Sequence, residues 1–588
     1  MTLAKNPPDE SSRAVNFFQE VIFLFALIKK FLANIVSGGG IIIKEDGFFF
    51  VVLTILNLPI ISFVRDFQTG AIKFWFGVFA LFLLTAAIHL LPLKIRRLLQ
   101  VPLIILFALI FVTDIFLLQK FGVPLNPDTL QIFLGTNPLT AKTFLQEYVV
   151  NFKILGSLAA FIFFITALSF GLKKIFVTRS EERLKRLSID LLIILFLPMM
   201  IYVCAALNAV LNVANNLFFN TRLWLTAKDT YDLVRAAPIG SEEKIFAEMD
   251  RQLESEKIFS DNSDIPYVVF VLGESTDRNH MQIYGYRLPT TPRLNARYEH
   301  GEIFRFTDTI ACANNTAPAM ARIFTFAEKE EPQNDWYLKA NLFDILRRTD
   351  YHTVWLSNQS PLGLWGNFDK YFSARCDEKF FIEAEDKIAR QRQVDSVLLP
   401  VLDEFITKSV AEKIFYVIHL YGTHEAFRER YPAEFEKFSG RDEDKPQEHW
   451  KKITAEYDNA VLYNDFIVDE IIRRFENKNA VLIYISDHGE EVYDGRDFFG
   501  HSMEEAGNVH MIEIPALIWA SKSFRERYPE KISAITAAID RPYRTDYLIH
   551  TILDLMDIRT TSFDETKSII NKNFEPRLRI YNGEPYSK

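Results

Sequence analysis

Residues 268–275 read Val-Val-Phe-Val-Leu-Gly-Glu-Ser, five apolar residues followed by a glycine, a carboxylate and a hydroxyl. An unbroken apolar run of this length is typical of a strand that is buried on both faces of a parallel sheet. Open sheets of that kind bind ligands outside the carboxyl ends of their strands. Glu274 therefore falls where a ligand-binding group is expected, although a plain turn after a buried strand explains these eight residues equally well.

The composition divides the chain into two regimes. Its 588 residues suffice for two or more domains, and the part up to about residue 213 is rich in Phe, Leu and Ile, with few charges. The net charge of −9 argues against a nucleic-acid-binding protein, which normally carries a basic face. Cys204, Cys312 and Cys376 are too few for a disulfide framework or a thiolate zinc site, and a bridge between the last two is left open.

The apolar half predicts a membrane domain. The two most basic loops follow the second and the fourth apolar stretch, and the positive-inside rule places both in the cytoplasm. Everything beyond residue 212 then lies outside the cytoplasm, in the periplasm of a Gram-negative cell, unless the count is wrong by one span. A span takes about 20 residues, and five stretches are long enough: 47–64, 72–92, 100–119, 154–176 and 189–211.

Two segments near these stretches have a separate interpretation. Residues 16–36 are apolar but interrupted by charges, which favours an interfacial amphipathic helix over a signal peptide. The loop 120–153, with Thr136 and Asn137, is a connector or a short element that lies on the membrane and meets a lipid substrate. The predicted organisation is an N-terminal segment 1–46, a five-helix membrane domain 47–212, bridging amphipathic helices 213–265 and a soluble domain 266–588.

The soluble part alternates short apolar strands with helical patterns. This alternation implies an α/β domain with a mostly parallel sheet that is covered on both faces. The predicted strands are 267–272, 351–356, 414–420, 480–485 and 514–519, and the predicted helices include 338–348, 394–408 and 455–475.

Several predicted strands end in residues that bind metals. His424 follows one strand, Asp487 and His488 follow another, and His501 comes soon after. With Glu274 they would meet at one edge of the sheet, and imidazole with carboxylate suits Zn²⁺ and also Mn²⁺. A single Asp-His pair is more often structural, but three strand ends that supply such groups to one edge indicate a metal site.

Thr316 is a candidate nucleophile. It lies in the small, polar segment 312–318 and precedes a pattern that reads as a helix start, where free backbone N–H groups favour negative charge. Coordination to a metal would lower the pKa of its hydroxyl and activate it. A plain helix N-cap, worth about 1 kcal/mol, is the alternative, and in isolation it is favoured.

These residues together resemble the sulfatase-like branch of the alkaline phosphatase superfamily. Within that branch the chain is similar to the membrane phosphoethanolamine transferases that modify lipopolysaccharide, and the likeness runs through nearly the whole chain. The motifs that carry it are Gly273-Glu274-Ser275, Tyr284-Gly285-Tyr286, Thr291-Pro292, Cys312 through Ala317, Gly422-Thr423-His424, Ser486 through Glu490, Gly500-His501 and the Thr136-Asn137 loop.

The resemblance implies a role for each residue of the site. It implies a zinc ligand set of Glu274, Thr316, Asp487 and His488. Two ligands at about 2 Å from one ion would place the Glu274 carboxylate within about 4 Å of the Thr316 hydroxyl. His424 and His501 would face the phosphoryl group or hold a second zinc. The headgroup contacts implied are Asn358, Gln359 and Ser360.

The resemblance also implies a two-step reaction. Thr316 would take phosphoethanolamine from phosphatidylethanolamine, diacylglycerol would leave, and a hydroxyl or phosphate of lipopolysaccharide would accept the group. A protonated His424 or His501 would assist the leaving or entering oxygen. Members that modify lipid A carry several disulfides, one of which starts at the position of Cys312 and would end at Arg322 here. The low cysteine count therefore favours the branch that modifies core heptose.

Three other functions fit parts of the pattern. A sulfatase needs Cys or Ser followed by x-Pro-x-Arg, but residues 316–320 begin with Thr and hold Met320 in the place of Arg. A phosphoglycerol transferase of the lipoteichoic-acid type shares the five-span plan but uses phosphatidylglycerol. A membrane-anchored scaffold with a dead site is the non-enzyme alternative, and the retention of every expected ligand type argues against it.

Overall fold

The computed structural model of the protein describes residues 45–63, 67–121, 125, 221–236, 242–331, 333–359, 368–382, 393–501 and 507–588. Its contacts divide the chain into two compact units, and along the chain the first gives way to the second between Tyr231 and Asp232. The predicted spans 154–176 and 189–211 lie outside the described residues. So do the predicted helix 16–36 and three candidate site residues, Thr136, Asn137 and Ser360.

The described part of the first unit is helical. Residues 45–56 form a helix that continues into a 3-10 turn at Leu58–Phe63, and α1 (Phe67–His89) and α2 (Leu93–Phe121) follow. Within the described residues, Leu93–Leu118 is long and apolar enough to cross a membrane, and Lys73–His89 is a shorter apolar helix. These helices coincide with the first three predicted spans, while the total of five remains a prediction.

A buried ion pair ties α2 to α3 (Arg222–Ala236). Arg222 Nε lies 2.6 Å from Asp114 Oδ2, and Arg222 Nη2 lies 2.8 Å from Asp114 Oδ1. Both side chains are completely buried. Asn57 Oδ1 accepts a hydrogen bond from the Arg222 backbone N–H at 2.7 Å. Asn57 lies between the helix 45–56 and the 3-10 turn Leu58–Phe63, so this hydrogen bond links that segment to the start of α3.

The second unit is built on a seven-stranded sheet. Its spatial order is β2-β7-β6-β1-β5-β3-β4, and every neighbouring pair from β6 to β4 is parallel, whereas β7 runs antiparallel to both of its neighbours. The strands are β1 (Tyr267–Gly273), β2 (Ile303–Arg305), β3 (His352–Ser357), β4 (Glu378–Phe381), β5 (Ile414–His419), β6 (Ala480–Ser486) and β7 (Ala516–Ala520).

The mostly parallel sheet confirms the fold predicted for this part of the chain. All five predicted strands are present, each within two residues of the predicted bounds. The two strands that the sequence did not predict, β2 and β4, form the two edges of the sheet. They are only three and four residues long and include charged residues, so neither shows an apolar run.

Aromatic side chains cover both faces of the sheet. On one face Phe475, at the end of the long helix Glu448–Phe475, contacts Tyr267 and Tyr416 at ring-centroid distances of 5.9 and 5.7 Å. On the other face Phe324, which follows the helix Thr316–Ile323, contacts Phe270 at 5.4 Å and Trp355 at 5.8 Å. Because alternate residues of a strand point to opposite faces, the unbroken apolar run of β1 fills both layers.

The helices of the second unit surround this sheet. The described helices are α4 (Glu242–Ser255), α5 (Pro292–Glu299), α6 (Thr316–Ile323), α7 (Leu342–Leu346), α8 (Phe368–Ser373), α9 (Leu398–Lys408), α10 (Glu448–Phe475), α11 (Lys522–Arg527), α12 (Pro529–Ala538) and α13 (Leu548–Leu555). Predicted helix 338–348 corresponds to α7, 394–408 to α9 with a preceding 3-10 turn, and 455–475 to the greater part of α10.

Four two-stranded ribbons are present among the described residues of this unit: Ile258–Asp261 with Ile558–Thr560, Thr309–Ile310 with Tyr543–Arg544, Glu491–Val492 with Phe499–Gly500, and Ile580–Tyr581 with Glu584–Pro585.

Helix α4 belongs to the second unit, although the sequence assigns it to a bridge that ends at residue 265. Ile245 and Met249 are buried in the hydrophobic core of that unit, and Asp250 forms an ion pair with Arg375 at 2.6 Å. Cys312 and Cys376 are both free thiols, so the bridge that the sequence left open is not formed.

We expect Asp114→Leu to destabilise the first unit by about 3–5 kcal/mol, because it leaves the buried Arg222 guanidinium without its carboxylate. The midpoint of thermal unfolding in detergent measures the effect. In the matched double variant, Asp114→Leu with Arg222→Met, both charges are removed, and most of the lost stability should return. Equal destabilisation of the single and the double variant would show that the ion pair is not the cause.

Candidate metal centre

The carboxyl ends of three neighbouring strands bring the candidate residues together. In the sheet register Leu272 of β1 pairs with His419 of β5, and Gly273 pairs with Ser486 of β6. The residues that follow these positions therefore emerge side by side. Glu274 follows β1 directly, and Asp487 follows β6 directly.

Backbone hydrogen bonds fix the turn that begins at Glu274. Thr423 N–H donates to the Glu274 carbonyl at 3.0 Å, and the Thr423 hydroxyl donates to the Ser275 carbonyl at 2.8 Å. Gly422 has φ +55°, and a Cβ there would lie 2.8 Å from the Glu274 carbonyl oxygen, so no larger residue fits. The Gly-Thr-His motif thus holds the Glu274 turn through its first two residues.

Ser275 adopts a left-handed backbone conformation with φ +56°, which is unusual for a residue with a side chain. Its backbone N–H donates to Asp487 Oδ1 at 3.1 Å, and its hydroxyl donates to Glu274 Oε1 at 3.1 Å. One residue therefore contacts both carboxylates of the site.

Four side chains converge on a single point. Thr316 Oγ1 lies 3.0 Å from Glu274 Oε1 and 3.3 Å from His488 Nε2. His488 Nε2 lies 3.2 Å from Glu274 Oε1 and 3.4 Å from Asp487 Oδ2. The distance between Thr316 and Glu274 agrees with the limit of about 4 Å expected for two ligands of one ion.

Thr316 is the first residue of α6, and Asn315 occupies the N-cap position. The interpretation of Thr316 as a plain N-cap is therefore wrong. Its hydroxyl contacts Glu274 and His488, and the start of the helix places it at the sheet edge.

His488 is oriented by its own loop. Its Nδ1 lies 2.8 Å from the Gly489 carbonyl oxygen, which accepts the Nδ1 proton and leaves Nε2 to face the cluster. This pattern is typical of metal-binding histidines, whose second ring nitrogen donates to a carbonyl or carboxylate. A Cβ at Gly489 would lie 2.1 Å from the His510 carbonyl oxygen, which explains the glycine after His488.

The residues fit a divalent cation such as zinc. Asp487 Oδ2 is buried and has no hydrogen-bond partner among the described residues, although it faces His488 Nε2. Two carboxylates, an imidazole and a hydroxyl are the donors that Zn²⁺ accepts. Glu274, Asp487 and His488 form one of the groups whose ligand atoms all lie within 4.8 Å of one another.

The electrostatics of the cluster favour a bound positive charge. Burial and the neighbouring Glu274 carboxylate raise the pKa of Asp487 to about 7. Burial lowers the pKa of His488, but the Asp487 and Glu274 carboxylates outweigh it and raise that pKa to about 10. Burial likewise opposes ionisation of Glu274, yet the hydrogen bond and charge of His488 hold its pKa well below the usual range. A divalent cation would satisfy the same carboxylates without a proton on His488.

His501 and His424 lie beside this centre. The rings of His488 and His501 are 4.3 Å apart, and those of His424 and His501 are 6.3 Å apart. His501 Nδ1 contacts Glu490 Oε2 at 2.9 Å, and His488, Glu490 and His501 form a second group able to hold a metal. Burial lowers the pKa of both His424 and His501 to about 4, so these imidazoles are neutral near pH 7.

The two described residues of the predicted headgroup site make protein contacts. Asn358 is completely buried and donates to Asp395 Oδ1 at 2.8 Å. Gln359 donates to Glu274 Oε2 at 2.8 Å and so belongs to the metal centre. Their contact with a headgroup stays a prediction.

A buried pair beside Gln359, His419 with Asp369, was not predicted from the sequence. His419 Nδ1 lies 2.8 Å from Asp369 Oδ1, and His419 Nε2 lies 3.3 Å from Gln359 Nε2. His419 is the last residue of β5 and lies within the predicted apolar strand 414–420, where it reads as core. A histidine inside such a strand was the signal that could have identified it. Asp369 lies in the six-residue helix α8, which has no recognisable pattern.

Comparison with known proteins places this site in a family. Residues 266–558 match the family model described as Sulfatase. The chain is 32% identical over 329 residues to phosphoethanolamine transferase EptC of Escherichia coli O18:K1:H7, a match that covers 55% of this chain and 56% of that protein. The chain thus spans little more than half the length of this relative.

Solved structures agree with that comparison. The C-terminal periplasmic domain of Escherichia coli EptC in complex with Zn is 31% identical, with a TM-score of 0.50 over 55% of this chain and 90% of that domain. The integral membrane protein EptA of Neisseria meningitidis is 20% identical, with a TM-score of 0.55 over 88% of this chain and 98% of that protein, and shares its fold. The chain therefore belongs to the sulfatase-like family of phosphoethanolamine transferases.

Proposed function

We propose that the protein transfers phosphoethanolamine from phosphatidylethanolamine to lipopolysaccharide through a phosphoethanolamine-threonine intermediate. The observation that carries the proposal is the placement of the Thr316 hydroxyl against Glu274 Oε1 and His488 Nε2, at 3.0 and 3.3 Å. The likeness to EptC supports phosphoethanolamine as the transferred group. The low cysteine count, with Cys312 and Cys376 both free, favours core heptose over lipid A as the acceptor.

In the first step Thr316 Oγ1 attacks the phosphorus of the donor lipid. The bond from phosphorus to Oγ1 forms as the bond to the glyceride oxygen breaks, and diacylglycerol leaves. The Thr316 proton is directed at Glu274 Oε1, so that carboxylate lies where it can accept the proton. The start of α6 holds the hydroxyl in this orientation before the substrate arrives.

His424 and His501 are the residues that would protonate the leaving oxygen. Both imidazoles are neutral in the absence of a phosphodiester, but the negative charge of the donor lipid would raise their pKa and favour a protonated ring. Such a ring donates its proton to the glyceride oxygen. In the second step the neutral ring accepts a proton from the acceptor hydroxyl, whose oxygen attacks phosphorus. The bond from phosphorus to Thr316 Oγ1 breaks, and Oγ1 takes back its proton from Glu274.

Glu274, Thr316, Asp487 and His488 would hold the zinc ion, which when bound neutralises negative charge on the transferring group. Asp487 Oδ2, which is buried and accepts no hydrogen bond from the described residues but faces His488 Nε2, supports this assignment. His424 and His501 would bind a second zinc ion where one is present. Both assignments rest on the residues and on the EptC domain that was solved with Zn.

We infer that the protein lies in the bacterial inner membrane, with the second unit in the periplasm. The apolar helix Leu93–Leu118 and the fold shared with the integral membrane protein EptA support this location. In that arrangement the catalytic site faces the compartment in which lipopolysaccharide is modified. The Thr136-Asn137 loop and Ser360 remain candidate lipid contacts.

Removal of the Thr316 hydroxyl tests its role as the nucleophile. Thr316→Ala should lower the rate of transfer by a factor on the order of 10⁶, as removal of a serine nucleophile does in a protease. Thr316→Ser, which keeps a hydroxyl, should retain measurable activity. Mass spectrometry of the lipid products measures transfer, and the exposed Thr536→Ala serves as the matched control. Substantial transfer by a zinc-loaded Thr316→Ala protein would contradict the assignment.

Removal of the metal tests the proposed zinc site. Dialysis against a chelator should abolish transfer, and added Zn²⁺ should restore it, because the buried carboxylates need a cation to hold the site together. Asp487→Asn should weaken zinc binding by a factor of about 10–100 or more, since it removes a charged ligand. Metal content by mass spectrometry checks the binding. Full activity after chelation would contradict the proposal that the site needs a metal ion.

The donor lipid and the acceptor can each be identified from the products of transfer. Lipopolysaccharide from cells that contain the protein should gain one phosphoethanolamine group on the core, whereas cells with Thr316→Ala should not. Vesicles of phosphatidylethanolamine should support transfer, and vesicles of phosphatidylglycerol should not. Transfer from phosphatidylglycerol would identify a phosphoglycerol transferase, and a modified lipid A would move the acceptor away from the core.

A further inference from the structure

We propose that Asp369, His419 and Gln359 form a positioning relay that orients the Glu274 carboxylate for metal binding. The inference rests on the proposed metal site and extends it to three residues that lie behind it. None of the three contacts the Thr316 hydroxyl. Each acts through the next, in the order Asp369, His419, Gln359 and Glu274.

The Gln359 amide is the link to the metal centre. Its Nε2 lies 2.8 Å from Glu274 Oε2 and 3.2 Å from the Leu420 carbonyl oxygen. Both partners accept hydrogen bonds only, so the nitrogen must face them, and the reversed amide would place oxygen against oxygen. The orientation of the Gln359 side chain is therefore fixed.

That orientation determines the tautomer of His419. Its Nε2 lies 3.3 Å from Gln359 Nε2, an amide nitrogen whose two N–H groups point at Glu274 and Leu420. An amide nitrogen accepts no hydrogen bond, so His419 presents a lone pair there and not an N–H. The ring proton then lies on Nδ1, which is 2.8 Å from Asp369 Oδ1. The His419 ring is completely buried, and Asp369 is 4% exposed, so no water replaces either contact.

Asp369 anchors the relay. Its Oδ1 accepts the His419 proton and a second hydrogen bond, from Trp355 Nε1 at 3.1 Å. The carboxylate sits in helix α8, and Trp355 lies in the neighbouring strand β3. The His419 bond belongs to the relay, whereas the Trp355 bond does not.

The relay divides the two oxygens of Glu274 between separate tasks. Oε2 is held by Gln359, while Oε1 faces Thr316 and His488. A carboxylate that is restrained at one oxygen loses less rotational freedom when the other binds a metal. Outer hydrogen bonds of this kind typically change metal affinity by a factor of about 10–100.

The test measures zinc affinity of the full chain in detergent by competition with a chromogenic chelator. Gln359→Met keeps the length of the side chain but removes its donors, and it should raise the zinc dissociation constant about 10–100-fold. His419→Leu should do the same. His419→Gln should restore most of the affinity, because its amide oxygen can face the Gln359 amide nitrogen while its N–H donates to Asp369.

Trp355→Phe is the matched control. It removes the other hydrogen bond to Asp369 Oδ1 and leaves the contact with His419. Its zinc affinity should stay within about twofold of wild type, whereas a purely structural role of Asp369 would make it as harmful as His419→Leu. The thermal unfolding midpoint identifies variants that misfold, and Gln359→Met, whose side chain is partly exposed, keeps the test decisive if His419→Leu does not fold.

Wild-type affinity in Gln359→Met would overturn the relay. So would a loss in Trp355→Phe equal to that in His419→Leu. The assay uses zinc alone, so its outcome is independent of lipid transfer. A wild-type protein that binds zinc but transfers no phosphoethanolamine would refute the proposed function and leave the relay intact.

Discussion

The site depends on the burial of two carboxylates beside each other. Glu274 and Asp487 have no solvent exposure, and burial together with repulsion from Glu274 raises the pKa of Asp487. Burial of two negative charges is costly unless a cation or hydrogen bonds compensate. The surrounding structure supplies hydrogen bonds through Ser275 and Gln359, and the proposed metal ion would satisfy the remaining charge. The ligand geometry is thus a consequence of how the fold compensates charge.

The compensation is possible because β1 lies in the centre of the sheet. Neighbouring parallel strands in register deliver their terminal residues to one edge without a long loop, so the proposed metal ligands are held by the rigid sheet. Thr316 comes from a different element, the start of α6, and its backbone is set by helix geometry. The proposed ligands and the proposed nucleophile are therefore positioned by separate rigid elements.

The parts of the fold that sequence could predict are those with a local signal. The apolar runs of β1, β5 and β6 and the residues that follow them are visible as patterns, and so are Glu274 and Asp487. The edge strands β2 and β4 have no such run, because tertiary pairing determines them. The histidine at 419 is visible within its apolar strand, but its contacts are not, because Gln359 and Asp369 are distant in sequence and only the fold brings them together. Helix α4 was placed in a bridge because its amphipathic pattern does not reveal which surface it covers.

The left-handed backbone of Ser275 has a consequence for the evolution of the protein. A glycine would adopt φ +56° without steric cost, and a residue with a Cβ pays on the order of 1 kcal/mol for it. Glycine, however, has no hydroxyl to donate to Glu274 Oε1. Selection for stability alone would favour glycine at this position, so the serine records a preference for charge compensation over a relaxed backbone. At position 275 thermal stability therefore favours glycine, whereas the hydrogen bond to the proposed metal ligand Glu274 favours serine.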